Sequence, residues 1–404
     1  MSFKFHTLFA ASVAGAALLA ASAAQAQDVK LGFLGGFTGP IETLVPPIHQ
    51  GAALAVDQIN QQGGILDGRK LVLLQGDSTC ADTTAASAAA DRMVNSENVT
   101  ALVGPLCSGE TIAAANTAAI PGGVVLVSPA ATSPALSGLN DNDLVFRTTP
   151  SDAYSGEALA RLLHGKGHEN IAITYVNNDY GKGFADALKG AFEELGGTVA
   201  ASEAHEDGKA DYRAEIGSLA SSGAELLAVL AYVDGSGQTI VRQALESGDF
   251  DKFAGGDGMI GDSIVGAVGE GKLDGFIGTK IGNPVTDGTA IFAEAAKAVN
   301  LDPAGSFVAQ SYDAAFLLAL AIQKKGSDSR DGLSAALREV ATEPGEVILP
   351  GEWEKAVKLL AEGKDINYEG AAGSHEFDEN GDVPGVVIET VIEGKGFKDV
   401  GPVE

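Results

Sequence analysis

Residues 99–129 read VTALVGPLCSGETIAAANTAAIPGGVVLVSP, and they contain a complete strand–helix–strand unit. An apolar, β-rich run ends at Gly104-Pro105, a helix-favouring run extends from Gly109 to Ile120, and a second β-rich run begins at Gly123. Two short strands joined by a helix of this length predict a right-handed crossover and a parallel sheet. This stretch therefore predicts an α/β fold.

The same alternation continues on both sides of this unit. Upstream lie VKLGFLG, HQGAALAVDQINQQGG, RKLVLLQGD and ADTTAASAAADRMVN. After VFRTTPSD at 145–152 the pattern begins again with ENIAITYVN and GKGFADALKGAFEELGG, and it runs on to DGFIGTKI. Beyond Ile281 the chain is mainly helical, and GEWEKAVKLLAEGKD predicts an additional surface helix that carries the only tryptophan, Trp353. We expect FDENGDVPGVVIETVI to form a hairpin turn and a late strand, and the whole chain to form two doubly wound parallel-sheet units.

The N-terminus and the charge limit where the protein works and what it binds. Residues 1–26, MSFKFHTLFAASVAGAALLAASAAQA, have the lysine, apolar run and Ala-Gln-Ala ending of a secretory signal, so we expect cleavage after Ala26 and an exported protein. A membrane anchor is the alternative, but the run is Ala-rich and only weakly apolar. The formal net charge of −28 disfavours nucleic acid and anionic lipid as partners.

The chain has only two cysteines, Cys80 and Cys107. An even pair in an exported protein predicts a disulfide. The alternative is that Cys107 is a nucleophile, which requires a free thiolate and a histidine partner in an oxidising compartment.

Motifs typical of enzymes are weak or absent in this sequence. GDGMIG at 256–261 fits a dinucleotide-binding pattern but does not open the first βαβ unit, and GAVGEGKL at 266–273 has Leu273 where a P-loop needs Ser or Thr. The five histidines beyond the signal are scattered, never at metal-ligand spacing, and we expect surface or loop roles for them: His49, His164, His168, His205 and His375. The sequence therefore predicts neither an enzyme nor a metal site, and no cofactor.

Several segments, in order along the chain, resemble the periplasmic leucine/isoleucine/valine-binding proteins, the solute receptors of amino-acid ABC importers. They are LGFLGGFTGP, GAALAVDQINQQGGI, DSTCAD, GPLCSGET, VLVSPAATSPALS, VFRTTPSD, NNDYGKGFADAL and SFVAQSYDAA. The resemblance implies a type I periplasmic-binding fold, in which two lobes are joined by three crossover strands near Thr148–Pro150, near Thr279 and near Phe377–Asp382. It implies an N-terminal lobe of residues 27–149 plus 280–377 and a C-terminal lobe of residues 150–279 plus 378–404.

The resemblance also implies a binding site for an amino acid between the lobes. Ser108 and Thr132 would bind the carboxylate and the carbonyl of Ala130, with Ala131 beside it, would accept from the ammonium. Ser108 lies at a strand–helix junction, where helix capping is the alternative role. Tyr180 and Tyr232 match positions that close over the ligand, although core packing would also explain either tyrosine.

Two further positions concern the charge and the side chain of the ligand. Asp257 matches the acid that binds the ammonium, which is Glu in the best-known members, while Asp262 lies close enough in sequence to be the acid instead. Leu44 falls where a Tyr lines the side-chain pocket of leucine-type members, which suits an aliphatic ligand.

The expected function is capture of an amino acid, aliphatic or branched-chain, by lobe closure, followed by delivery to a membrane ABC permease. We expect a monomer that is not an enzyme. The alternatives are a related solute (an amide, urea, γ-aminobutyrate or an aromatic acid), a sensory receptor module with the same fold, or a secreted enzyme with an unrecognised site.

Overall fold

The computed structural model of the protein describes residues 27–404, so the expected signal segment 1–26 lies outside the described residues. The strands, in chain order, are β1 (Val29–Gly35), β2 (Leu71–Asp77), β3 (Ala101–Val103), β4 (Val125–Ser128), β5 (Val145–Arg147), β6 (Asn170–Val176), β7 (Thr198–His205), β8 (Leu226–Leu230), β9 (Phe253–Gly255), β10 (Ile277–Gly282), β11 (Glu346–Ile348), β12 (Ile366–Gly370), β13 (Gly373–Ser374), β14 (Val386–Glu393) and β15 (Gly396–Pro402).

The helices, in chain order, are α1 (Val45–Gln61), α2 (Thr83–Asp91), α3 (Ser108–Ala114), α4 (Asp152–Gly165), α5 (Asp179–Glu194), α6 (Arg213–Ala220), α7 (Gln238–Ser247), α8 (Ser263–Val268), α9 (Asp287–Ala298), α10 (Val308–Lys325), α11 (Leu333–Ala341) and α12 (Trp353–Ala361). A wider π-helical turn extends α2 over Arg92–Ser96 and α3 over Ala115–Ala119.

The first lobe is built on a five-stranded parallel sheet with the strand order β2-β1-β3-β4-β5. Successive residues of a strand face opposite sides of the sheet, and both sides are buried here. Ala101 and Val103 pack into the core that contains α1 and α10, whereas Leu102 packs on the other side against residues of α2 and α3. Coverage of both faces explains why these strands read as continuous apolar runs, and it confirms the α/β class.

The second lobe contains a sheet with the order β15-β14-β10-β9-β8-β6-β7. Strands β6 to β10 are parallel, but β14 pairs antiparallel with β10, and β15 pairs antiparallel with β14. Strands β6 to β10 confirm the expected doubly wound unit, and the chain that returns after the third crossing adds two antiparallel strands at one edge. Strands β14 and β15 are joined by a two-residue turn in which Gly394 has φ +65°, and so short a connection only joins antiparallel strands.

A small third sheet, β11-β12-β13, packs with α12 against α10 and α11 of the first lobe. The expected surface helix is present as α12, but its tryptophan is not on the surface. Trp353 is fully buried, its indole Nε1 donates to the carbonyl of Gly64 at 2.9 Å, and its ring meets that of Phe316 edge to face. The amphipathic helix therefore anchors the added segment to the first lobe.

The chain passes between the two large sheets three times: after β5, after β10 and before β14. Strand β10 stays paired with β14 as far as Gly282. The third passage contains a turn in which Gly381 donates to the carbonyl of Asp378 at 3.1 Å, so this segment is a turn within a crossing and not the hairpin expected from the sequence. Within residues 27–404, no helix combines the length and the hydropathy that a membrane span requires.

Candidate ligand-binding site

The carboxyl ends of the parallel strands of both sheets carry the residues that line one cavity between the lobes. Helix and loop residues after β1, β3 and β4 line it from the first lobe, and residues after β6, β8 and β9 line it from the second. This is the usual position for ligands in open α/β sheets. The lining residues are Ile41, Leu44, Ile48, Leu106, Cys107, Ser108, Ala130, Tyr180, Tyr232, Asp257, Gly258 and Phe307.

Ser108 is buried in the first-lobe wall of this cavity. It is the first residue of α3, and the residue in the N-cap position is Cys107, so the Ser108 hydroxyl does not cap the helix. Its Oγ accepts from the backbone N–H of Ser133 at 3.1 Å. This contact joins the loop after β3 to the loop after β4, which brings Ser108 and the segment around Ala130 together.

The segment Ala130–Thr132 divides between the cavity and the core. Ala130 lines the cavity, whereas the side chain of Ala131 packs into the core on the α2–α3 side of the first sheet. Thr132 is fully buried, and its Oγ1 has no hydrogen-bond partner within residues 27–404. The segment is held by Ser128, whose Oγ accepts from the N–H of Ala131 at 3.0 Å and donates to the carbonyl of Pro105 at 2.6 Å.

The two tyrosines of the second lobe form one wall of the cavity. The rings of Tyr180 and Tyr232 stack with their centroids 5.2 Å apart. The Tyr180 hydroxyl donates to Asp257 Oδ1 at 3.3 Å and accepts from the N–H of Gly258 at 3.1 Å, while the Tyr232 hydroxyl accepts from Asn178 at 3.1 Å. Both rings are buried, and both line the cavity.

Asp257, and not Asp262, lies in the cavity wall. Asp262 precedes α8, where its Oδ1 accepts from the N–H of Phe397 at 3.3 Å, away from the lining residues. Asp257 is 6% exposed, and burial raises its pKa to about 7. A carboxyl group desolvated in this way gains most from a positively charged partner.

Asp152, which the sequence analysis did not single out, is a second buried acid beside this group. Its side chain is fully buried, and neither carboxyl oxygen has a hydrogen-bond partner among the described residues. Burial and then the charge of Asp257 raise the pKa of Asp152 well above its usual range, against the opposing effects of Thr132 and Arg147. Asp152 is the first residue of α4 and the last residue of the segment VFRTTPSD. Acidic residues are common in the first turn of a helix, so the sequence alone does not set Asp152 apart.

Apolar side chains make up most of the remaining lining of the cavity. Leu44 is one of them, together with Ile41, Ile48, Leu106 and Phe307. Phe307 has φ +61°, a left-handed conformation that is unfavourable for an aromatic residue, and it directly precedes α10. Phe307 lies in the segment SFVAQSYDAA. Residue types alone do not reveal a strained backbone, so the sequence did not predict that this phenylalanine lines the cavity.

The cavity measures about 30 Å³. A single water needs roughly 10–15 Å³, so this volume is smaller than an amino acid.

Cys80 and Cys107 form a disulfide, which confirms the predicted pairing and rules out a thiolate nucleophile. The bond joins the loop after β2 to the residue before Ser108. Among residues 27–404, the one cluster of potential metal ligands consists of these two sulfurs and Glu110, and a disulfide sulfur is not a thiolate ligand.

Two histidines are buried, which contradicts the expectation of surface or loop roles for all five. His205 is hydrogen-bonded through Nδ1 to Thr174 Oγ1 at 2.8 Å and through Nε2 to Ser236 Oγ at 2.9 Å. His375 lies 3.4 Å from Asp313 Oδ2 in the first lobe. Burial lowers the pKa of each imidazole to about 4, so both are neutral at pH 7.

Comparison with known proteins adds a family to this geometry. A family profile described as "Periplasmic binding protein" matches residues 28–356. The leucine-, isoleucine-, valine-, threonine- and alanine-binding protein of Pseudomonas aeruginosa is 30% identical over 338 residues, which cover 83% of this chain and 88% of that protein.

Solved structures give the same result for the fold. A leucine-binding protein of Thermotoga maritima superposes with a TM-score of 0.78 at 23% identity, covering 93% of this chain and 99% of its own. An ABC transporter substrate-binding protein of Desulfitobacterium hafniense, solved with Leu, superposes with a TM-score of 0.71 at 25% identity, covering 93% of this chain and 100% of its own.

Proposed function

Since this chain belongs to the periplasmic leucine/isoleucine/valine-binding protein family, we propose that it binds an aliphatic amino acid between its lobes and delivers it to a membrane ABC permease. The family consists of periplasmic solute-binding proteins and not of enzymes. Named relatives bind leucine, isoleucine and valine, which supports an aliphatic ligand for this chain.

The observation that carries the proposal is the mixed chemistry of the cavity lining. It combines the hydroxyl groups of Ser108, Tyr180 and Tyr232 and the buried carboxyl group of Asp257 with aliphatic and aromatic side chains, and Asp152 is buried near Asp257 outside the lining. An amino acid with an aliphatic side chain has the complementary arrangement: a carboxylate, an ammonium and an apolar group.

Each group of the ligand has a proposed partner. Ser108 and the Thr132 hydroxyl bind the carboxylate, since Ser108 lines the cavity and Thr132 follows Ala130 in the same loop. The ammonium binds Asp257, supported by Asp152 and the carbonyl of Ala130. Leu44, Ile41 and Phe307 contact the side chain, and Ala131 contributes only backbone.

Lobe closure is the proposed mechanism of capture. We propose lobes of residues 27–149 plus 283–377 and 150–282 plus 378–404, which moves the middle boundary from 279/280 to 282/283 because β10 stays in the second sheet as far as Gly282. We also propose removal of residues 1–26 after Ala26 and action as a monomer.

The alternative ligands differ in charge pattern, which makes them separable. Urea, neutral amides and aromatic acids offer no cation to two buried carboxyl groups, and γ-aminobutyrate carries its ammonium farther from its carboxylate. A sensory receptor module would bind the same ligands, and it is separated from an importer component by transport measurements in cells.

The test is isothermal titration calorimetry with leucine and with 4-methylpentanoate, which keeps the carboxylate and side chain of leucine but lacks the ammonium. We expect leucine, isoleucine or valine to bind and 4-methylpentanoate to bind at least ~30-fold more weakly, because a buried carboxyl group loses its charged partner. Equal binding of the two compounds would refute the amino-acid assignment, and chemical turnover of the bound compound would restore the enzyme alternative.

A further inference from the structure

A second cavity lies between the lobes and shares Tyr232 with the amino-acid cavity. It measures about 290 Å³. The first lobe contributes Cys80 and Glu110 to its walls, and the second contributes Asn177, Glu206, Asp207 and Tyr232. None of the roles proposed above for the amino-acid ligand uses this space.

Glu110 is the buried acid of the second cavity. Its residue is 4% exposed, and its carboxyl group receives no hydrogen bond from any other residue in the range 27–404. Burial raises the pKa of Glu110 to about 7. A hydrogen bond from its own backbone N–H opposes this increase, whereas the negative charges of Asp179 and Asp82 add to it. A carboxyl group this desolvated, facing a cavity and lacking a donor, is placed to receive one from a ligand.

The remaining charges around the cavity have the same sign. Glu206 and Asp207 also line it, the first accepting from Asn177 Nδ2 at 2.6 Å and the second from the N–H of Ser236 at 2.6 Å. The lining includes neither lysine nor arginine. Carboxyl groups of both lobes therefore face the second cavity, and no lysine or arginine among the described lining residues balances their charge.

We propose that this second cavity binds a small organic cation, an aliphatic amine or a guanidinium compound, with Glu110 as its principal partner. A bare metal ion needs ligand oxygens about 2.0–2.6 Å away and hence close to one another. Glu110, Glu206 and Asp207 do not bring their oxygens within 4.8 Å of one another as a group, whereas separate amino groups of one organic molecule can reach separate carboxylates. The volume also exceeds that of a single ion.

Since the walls come from both lobes, an occupant of this cavity stabilises the closed arrangement. The bound cation should raise the affinity of the protein for the amino acid. The bound amino acid should raise the affinity of the protein for the cation by the same factor. This coupling rests on the proposed lobe closure, whereas binding of the cation itself does not.

The test is calorimetric titration of putrescine into the processed chain without amino acid. We expect saturable binding that Glu110→Gln weakens at least ~tenfold, because the carboxylate partner is lost, and that Glu194→Gln, on the exposed end of α5, leaves unchanged. Glu206→Gln is the second variant and should also weaken binding. Glu110→Gln should melt no lower than the wild type, since it removes a desolvated charge.

The absence of saturable binding up to about 10 mM putrescine would overturn the proposal. So would putrescine binding that Asp257→Asn removes but that Glu110→Gln and Glu206→Gln leave intact. Binding of Mg²⁺ to the same site with an affinity equal to that of putrescine would also overturn it. These results differ from those expected if the proposed function is wrong. In that case leucine would not bind, but putrescine would still bind and Glu110→Gln would still weaken its binding.

Discussion

At the scale of single residues, the acids proposed to bind the ligand's ammonium are costly to ionise. Asp257 and Asp152 are both buried, and the charge of Asp257 further raises the free energy of ionising Asp152. Tyr180 is placed to hold Asp257 in position, because its hydroxyl lies between that carboxyl group and the N–H of Gly258. A side chain at Gly258 would approach the Tyr180 hydroxyl to 2.8 Å, so glycine keeps this N–H accessible.

Replacement of Asp257 tests the ammonium site. Asp257→Asn should weaken leucine binding by about 2 kcal/mol or more, roughly 30-fold, because the ammonium loses its charged partner in a buried site. Asp262→Asn is the matched control and should leave the affinity unchanged, since Asp262 lies outside the cavity lining. Calorimetric dissociation constants measure the effect of both substitutions. A larger effect of Asp262→Asn would show that the ammonium-binding acid has been assigned to the wrong residue.

The affinity for leucine should depend on pH. Because burial raises the pKa of Asp257 to about 7, the carboxyl group is largely protonated and neutral below pH 7 and is then unable to balance the ammonium. We expect the affinity to fall as the pH is lowered from 8 to 5, by up to about tenfold per pH unit below 7. Asp257→Asn should flatten this profile, and a flat wild-type profile would contradict the assignment.

At the scale of elements, the crossings and loops that support the cavity are held by specific contacts. Arg147, at the end of β5, binds both carboxyl oxygens of Asp382 at 2.6 and 2.8 Å and also donates to the carbonyl of Ser133 at 3.0 Å. The first and third crossings are therefore tied to each other and to the loop that follows Thr132. Thr148 adds a hydrogen bond to the carbonyl of Gln310 at 2.8 Å.

Arg147→Met should destabilise the protein by about 3–5 kcal/mol, because the guanidinium is almost fully buried and its loss leaves Asp382 without its partner. Arg213→Met is the control: its ion pairs with Asp211 and Glu246 are exposed and should contribute at most about 1 kcal/mol. Urea unfolding followed by circular dichroism measures both. Equal losses in the two variants would argue against a structural role for the crossing contact.

Removal of the disulfide should affect both stability and binding. Cys80→Ala with Cys107→Ala opens a loop with a sequence separation of 27 residues. Loop-closure entropy predicts a loss of roughly 3–4 kcal/mol in the free energy of unfolding. Leucine affinity should also fall, because Ser108 directly follows Cys107. Unchanged affinity in the folded double variant would show that the hydrogen bond to Ser133 positions Ser108 without help.

At the scale of the whole molecule, the two lobes touch through a few polar contacts at the rim of the cleft. Asp234, in the loop after β8, accepts from the hydroxyl and the N–H of Thr43 at 2.5 and 3.1 Å, and its own N–H donates to the carbonyl of Pro40 at 3.2 Å. Ser263 holds the other carboxyl oxygen of Asp234 at 2.8 Å. These contacts favour the closed arrangement independently of the ligand.

Asp234→Asn should therefore speed ligand release more than it slows ligand capture. We expect the leucine dissociation rate to rise about 3–10-fold, the effect of weakening one charge-assisted hydrogen bond, with little change in the association rate. Stopped-flow tryptophan fluorescence is unsuitable because Trp353 lies in the first-lobe core, so a labelled cysteine pair across the cleft is the better reporter. Asp249→Asn, on an exposed loop, is the control. A change confined to the association rate would contradict the role of Asp234 in holding the closed state.

What the sequence determined by itself is the set of elements and much of the candidate site. Apolar periodicity and glycine or proline at the ends are local properties, so the strands, the helices and the α/β class follow from them. Ser108 and Thr132 were identified because parallel strands bring their carboxyl ends to one edge. The family resemblance alone identified Tyr180 and Asp257.

Only the tertiary structure decided which distant groups share one environment. The pairing of Asp152 with Asp257, the exposure of Glu110 to a second cavity and the burial of Trp353, His205 and His375 all depend on elements far apart in the chain. The antiparallel pairing of β14 with β10 depends on the third crossing in the same way. Burial and charge proximity are properties of packed neighbours, and residue types along one segment do not contain them.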